Sequence, residues 1–179
     1  MGMGWLENDV TLGNSLVDMY ARCDDLENAQ QLLEELPLKD AVSWNSLITG
    51  YAQVGKALEA MNCFIQMQNE GLSPDPVTFT CILKACSITR AIEKGKEIHN
   101  QIVDRGLLEK DTVLGNALVD MYAKCGDLFQ AKQVLEELSL RDIFSWSALI
   151  AGYAQEGQGH EALNCFARMQ KEGLSPDGV

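Results

Sequence analysis

Stretches of this chain return at a fixed spacing of 102 residues. Gly13-Asn14-Ser15-Leu16-Val17-Asp18-Met19-Tyr20 comes back as Gly115-Asn116-Ala117-Leu118-Val119-Asp120-Met121-Tyr122. Trp44-Asn45-Ser46-Leu47-Ile48 comes back as Trp146-Ser147-Ala148-Leu149-Ile150, and Gly71-Leu72-Ser73-Pro74-Asp75 as Gly173-Leu174-Ser175-Pro176-Asp177. A repeat constrains architecture more than any other signal, because each copy must bury its apolar face against a neighbour.

The long period has inner structure. Aspartates stand at positions 9, 40, 75, 111, 142 and 177, with successive differences of 31, 35, 36, 31 and 35. The first three differences sum to 102. The spacing predicts five complete units, 10–40, 41–75, 76–111, 112–142 and 143–177, in the order short, standard, long, short, standard. Residues 1–9 read as the tail of a preceding long unit and 178–179 as the start of a next one, which makes the chain a piece of a longer array. Each unit reads as two helices. In 41–75, Trp44, Leu47, Ile48 and Tyr51 fall at i, i+3, i+4 and i+7 on one helical face. Val54-Gly55 breaks that helix, and Ala57, Ala60, Met61, Phe64 and Met67 mark a second stripe. No segment alternates with the period of a strand. Stacked two-helix hairpins of this size predict an all-α chain, an α-solenoid.

Charge and cysteine content limit what such a solenoid does. With 14 Lys and Arg against 26 Asp and Glu, the net charge is −12, an unusual balance for a nucleic-acid binder. Lys84, Arg90, Lys94 and Lys96 form a local basic group that also reads as a solvated helix face. No apolar run approaches the ~18 residues of a membrane span. Of six cysteines, Cys23 and Cys125, and Cys63 and Cys165, are related by the offset of 102 and read as equivalent packing positions. Cys81 and Cys86 lie on the first helix of the long unit. There is no C-x-x-C, and the histidines are His99 and His160. This composition argues against a metal site or disulfide framework and for a reducing compartment.

The alternation of 31-, 35- and 36-residue units resembles the PLS class of pentatricopeptide repeat proteins. The motifs G-N-[SA]-L-V-D-M-Y-A-[RK]-C in the short units and S-W-[NS]-[SA]-L-I-[TA]-G-Y-A-Q with E-G-L-S-P-D in the standard units are typical of that class. So are V-T-F-T-C-I-L-K-A-C and G-K-E-I-H in the long unit. The resemblance implies a right-handed superhelix that binds single-stranded RNA in a mitochondrion or chloroplast, most often in land plants. Many members direct cytidine-to-uridine editing of organellar transcripts.

It further implies that each repeat reads one base through its fifth and last residues. Those pairs are Asn14 and Asp40, Asn45 and Asp75, Thr80 and Asp111, Asn116 and Asp142, and Ser147 and Asp177. Uracil and guanine carry a ring N–H on their Watson–Crick edge that a carboxylate accepts, directly or through water. The implied reading is U-U-G-U-G from the N-terminal end. The second residue of each unit is expected to flank and stack on the bases: Val42, Val77, Val113 and Phe144, with Thr11 departing from the pattern.

Other readings of the same residues stand beside these. Aspartate before a helix is an ordinary N-cap, and Asp75 precedes Pro76. Asparagine is a poor mid-helix residue on propensity, which favours a role for Asn14, Asn45 and Asn116 beyond the helix itself. Trp44 and Trp146 head apolar stripes and read as core, as does His99. No catalytic constellation is present: a base deaminase needs H-x-E and C-x-x-C, whereas His160 is followed by Glu161 and Ala162. The chain is therefore expected not to be an enzyme and to use no cofactor. Single-stranded RNA is the expected partner. Small organellar editing-cofactor proteins at the long unit, and a second copy through exposed ends, are further candidates. A tetratricopeptide-like protein scaffold is the rival, since Trp44, Leu47, Tyr51, Ala60 and Phe64 fit that consensus too.

Overall fold

The structure, a computed structural model, describes residues 10–109 and 111–175. Among them are ten α-helices and no strand. They are α1 (Val10–Arg22), α2 (Leu26–Glu35), α3 (Ala41–Gln53), α4 (Ala57–Asn69), α5 (Pro76–Thr89), α6 (Ile92–Asp104), α7 (Thr112–Lys124), α8 (Leu128–Glu137), α9 (Ile143–Gln155) and α10 (Gly159–Lys171). None of the described helices is long and apolar enough to cross a membrane. The fold is the all-helical solenoid type expected from the repeat. Residues 1–9 and 177–179, to which the sequence assigns flanking repeat segments and Asp177, lie outside the described residues.

The chain divides into two compact units, with the division at Ala85 and Cys86. In the first, α1 packs on α2 and α3, α2 packs on α3, and α3 packs on α4. In the second, α6 packs on α7, α7 on α8 and α9, α8 on α9, and α9 on α10. The first helices of successive hairpins thus touch directly, α1 with α3 and α7 with α9. This places Asn14 and Asn45 in one layer, and Asn116 and Ser147 in another.

Burial follows the sequence stripes. Trp44, Leu47, Ile48 and Tyr51 are buried along α3, as are Ala57, Ala60, Cys63, Phe64 and Met67 along α4. Close helix approach needs small residues. A Cβ on Gly50 would lie 2.7 Å from Leu26 Cδ2 and 3.1 Å from Ala21 Cβ, so this glycine lets α3 settle onto the first hairpin.

The standard units carry a clamp that recurs at the long period. Trp44 Nε1 donates to Glu70 Oε2 at 2.9 Å, and Lys39 Nζ lies 3.5 Å from Glu70 Oε1. In the copy, Trp146 Nε1 donates to Glu172 Oε2 at 3.1 Å and Arg141 Nε donates to the same oxygen at 3.2 Å. A buried indole N–H needs such an acceptor, and this one ties the first helix of the hairpin to the end of the second.

The cysteine pairs are only partly equivalent. Cys63 and Cys165 are buried, whereas Cys23 is exposed and Cys125 half-buried. Cys125 Sγ lies 3.7 Å from the Cys86 carbonyl oxygen. No described helix precedes α1 to give Cys23 that neighbour. Among the described residues no His, Cys, Asp and Glu cluster could hold a metal ion.

Two members of the basic group are paired locally as well. Lys94 Nζ pairs with Glu97 at 2.7 Å and Lys96 Nζ with Glu93 at 3.3 Å, each one helical turn away. These are exposed pairs of little energetic weight.

Candidate functional site

Asp40, Asp111 and Asp142 each stand immediately before a helix, where unpaired backbone N–H groups favour an acceptor. Asp40 Oδ1 accepts from Val42 N and Ser43 N, both at 3.0 Å. Asp142 Oδ1 accepts from Phe144 N at 2.9 Å and Ser145 N at 3.0 Å. Ser43 and Ser145 complete reciprocal capping boxes. Asp111 Oδ1 accepts from Leu114 N at 3.1 Å. Asp75 precedes Pro76, the first residue of α5, and its Oδ1 accepts from Thr78 N at 2.8 Å.

Three of these carboxylates, Asp40, Asp75 and Asp142, also bind the asparagine of the preceding first helix. Asn14 Nδ2 donates to Asp40 Oδ1 at 3.1 Å and Oδ2 at 3.0 Å. Asn45 Nδ2 donates to Asp75 Oδ2 at 2.7 Å, and Asn116 Nδ2 to Asp142 Oδ2 at 2.8 Å. At Asp75 and Asp142, Oδ1 caps a helix while Oδ2 reaches the asparagine; at Asp40 the Asn14 amide bridges both oxygens, the capping one included. Helix capping and the asparagine contact therefore coexist in one side chain.

Ionisation suits both roles. Burial pushes the Asp40 carboxyl up, but hydrogen bonds from the Ser43 and Val42 backbone, the Asn14 amide and the Ser43 hydroxyl outweigh it, and its pKa ends below the usual carboxylate value. Asp142 is lowered in the same way, against its burial, by Ser145, Asn116 and Phe144.

The remaining expected positions are placed as follows. The Thr80 hydroxyl donates to the Pro76 carbonyl at 2.9 Å. Ser147 is exposed on α9. Val42, Val77, Val113 and Phe144 stand out from the first turns of their helices at 58 %, 56 %, 61 % and 69 % exposure. Thr11 is exposed as well.

In the first unit these groups meet around an open cleft of about 650 Å³. Asn45 and Asp75 line it, with Val42 and Val77 also on its wall. Arg22 lines it too, held by Asp18 at 2.7 Å. An amide nitrogen carries two hydrogens and an ionised carboxylate about four lone-pair sites. The Asn45–Asp75 bond uses one of each. The pair can thus offer a donor beside an acceptor, between two apolar surfaces.

Several contributors escaped sequence reasoning. The Tyr51 hydroxyl donates to Gln30 Oε1 at 2.6 Å, and Tyr122 Oη lies 2.9 Å from His99 Nδ1. Each joins a helix to the hairpin before it. Thr78 also touches the Asn45 amide. Recurrence of Trp44 with Glu70 and of Trp146 with Glu172 at the long offset was a signal for the clamp. Nothing in the one-dimensional pattern marked the tyrosine contacts.

Repeated helical hairpins with a polar pair set between exposed apolar residues define a helical-repeat protein. The PPR repeat family matches residues 39–88 and 141–179, and the PPR repeat matches residues 14–40, 77–107 and 116–143. The chain belongs to the pentatricopeptide repeat family.

Among its relatives is a putative pentatricopeptide repeat-containing protein of Arabidopsis thaliana, 44 % identical over 172 residues, covering 96 % of this chain and 30 % of the relative. Two others from Arabidopsis thaliana bear the words mitochondrial and chloroplastic in their names. They are 39 % identical over 174 residues (97 % of this chain, 17 % of the relative) and 38 % over 176 (97 % and 33 %). The chain thus spans a third or less of these relatives. Among solved structures, the pentatricopeptide repeat protein PPR10 in complex with an 18-nt psaJ RNA element superposes with a TM-score of 0.74 at 25 % identity. That match covers 92 % of this chain and 25 % of the other.

Proposed function

We propose that this chain is a sequence-selective binding module for single-stranded RNA, taking one base per repeat. The observation that carries the reading is the Asn–Asp pair, formed three times, in Asn14–Asp40, Asn45–Asp75 and Asn116–Asp142. Uracil presents a carbonyl oxygen beside its N3–H, the complement of a donor beside an acceptor. Cytosine presents the opposite order and is disfavoured. Val42, Val77, Val113 and Phe144 supply the flanking surfaces on which bases stack. Thr80 with Asp111, and Ser147 with Asp177, are assigned to guanine by family resemblance, completing U-U-G-U-G.

The unit lengths support a PLS-class array with repeats bounded at 40, 75, 111, 142 and 177. Such an array serves as the specificity part of a cytidine-to-uridine editing factor in a mitochondrion or chloroplast. Two relatives with organellar names favour that compartment. The net charge of −12 favours weak intrinsic affinity. It also keeps a second reading in play, a scaffold for an editing-cofactor protein or for a second copy.

Fluorescence anisotropy with labelled RNAs tests the proposal. U-U-G-U-G is compared with versions carrying A or C, at low and moderate salt. Salt-dependent binding that prefers U-U-G-U-G is expected. Absence of binding even at low salt would overturn the RNA reading and leave the scaffold.

A further inference from the structure

The three Asn–Asp pairs look alike in sequence but differ in how the asparagine carbonyl is satisfied. Asn14 Oδ1 and Asn116 Oδ1 are buried without a hydrogen-bond partner. Asn45 Oδ1 accepts from the Thr78 hydroxyl. The residue three places after the aspartate makes the difference. At the Asn14 and Asn116 pairs it is serine, and the Ser43 and Ser145 hydroxyls donate to the Asp40 and Asp142 carbonyls, each at 2.9 Å. At the Asn45 pair it is Thr78, whose hydroxyl oxygen accepts from Asp75 N at 3.2 Å, as the serine oxygens accept from Asp40 N and Asp142 N at 3.1 Å, and whose single hydrogen is shared between Asn45 Oδ1 and Asp75 Oδ1, the latter at 2.9 Å. Thr78 is 1 % exposed, so water does not compete for its hydroxyl.

We propose that Thr78 is a positioning residue for base recognition: by holding the Asn45 carbonyl it fixes the amide with its N–H groups toward Asp75 and the cleft. This role rests on the RNA reading above. An asparagine amide turned end for end would present a carbonyl to the base and so accept from the exocyclic amine of cytosine. Asp75 opposes that turn by accepting from Nδ2, and Thr78 opposes it from the other end. Asn14 and Asn116 have only the first restraint. The Asn45 site is therefore the strictest of the three in choosing uracil over cytosine, although the deciding side chain belongs to the following repeat and is not in contact with solvent.

The test uses the whole chain and RNAs with U or C at the second or the fourth base. In Thr78→Val the preference for U at the second base is expected to fall by roughly 2- to 12-fold, the worth of one neutral hydrogen bond. The preference at the fourth base, read by Asn116, should be unchanged. Thr78→Ser retains the hydroxyl and should restore most of the preference.

Nitrogen-15 relaxation of the side-chain amides gives a readout independent of RNA. The Asn45 amide of the unaltered chain should be more rigid than those of Asn14 and Asn116, and should loosen in Thr78→Val. Equal loss at both bases would show a merely structural role for Thr78 and overturn the inference. So would an unaltered second-base preference in Thr78→Val, or an Asn45 amide as mobile as the other two. A chain that does not distinguish these RNAs at either base refutes the RNA reading itself, and this role falls with it whatever the relaxation shows.

Discussion

Asp142 is the position at which helix capping and the proposed base reading can be separated by experiment. Its Oδ1 caps α9 through Phe144 N and Ser145 N, while Oδ2 holds Asn116 Nδ2 at 2.8 Å. Asp142→Ala removes both. Loss of an N-cap costs about 0.5–2 kcal/mol. Stranding the half-buried Asn116 amide adds about 1 kcal/mol, the low end for an unsatisfied group because water reaches part of it. At about 2–4 °C per kcal/mol for a chain of this size, the melting temperature should fall by roughly 3–12 °C.

Asp142→Asn behaves differently. Asparagine caps as well as aspartate, so α9 keeps its start. The introduced amide meets Asn116 Nδ2 donor to donor. Turning the Asn116 side chain relieves that clash, because its Oδ1, now buried without a partner, becomes the acceptor. Stability should fall by only about 0.5–1 kcal/mol, the worth of one neutral bond weakened. The order of donor and acceptor offered to the fourth base is reversed. Affinity for U there should drop by roughly 10-fold or more, since the lost acceptor was charged, and C should become the preferred base. Thermal denaturation and anisotropy on the two variants measure both effects. Equal destabilisation by the two substitutions, or an unchanged U preference in Asp142→Asn, would refute the division of labour between the carboxylate oxygens.

Acidification should act in two windows. The pKa values of Asp40 and Asp142 lie below 3.8 in the fold, so their stabilisation is complete above about pH 4 and is lost as pH falls through the lower folded values. Burial holds the His99 pKa below 6.5, against a smaller opposite pull from Glu137. The unfolded chain therefore takes up that proton first, and stability should begin to decline below about pH 6.5. Denaturant titrations from pH 8 to 3 check this, and His99→Gln should flatten the upper window alone. Gly152→Ala should destabilise by about 1–2 kcal/mol despite the higher helix propensity of alanine. The added Cβ would lie 2.8 Å from Leu128 Cδ2 and 2.9 Å from Ala123 Cβ, which has no rotamer with which to retreat. Gly159→Ala, with nothing within 4 Å of its Cβ, should be neutral or stabilising in the same denaturation assay.

Much of this protein was legible in one dimension. The offset of 102 and the aspartate spacing marked the repeat, and the i, i+3, i+4, i+7 stripes marked the helices and their buried faces, Trp44 and Trp146 included. These are local properties, carried by the period of apolar side chains and by the turn residues between them. Exposure of Val42, Val77, Val113 and Phe144 was expected only through resemblance to a known family, since an apolar residue in the first turn of a helix reads equally as core.

Tertiary structure decided the rest. Asn14 meets Asp40 across 26 residues, and Asn45 meets Asp75 across 30. Those meetings depend on how each hairpin closes and on how the next first helix starts. Pattern reading treated a capping aspartate and a base-reading aspartate as alternatives, because it assigns one role to one residue; in the packed chain Asp75 and Asp142 cap with one oxygen and hold an asparagine with the other, and Asp40 does both through Oδ1. The contrast between Thr78 and Ser43 or Ser145 was beyond sequence reading for a related reason. Both residue types satisfy the same capping pattern, and only the three-dimensional position of the Asn45 carbonyl shows which hydroxyl has an asparagine carbonyl in reach.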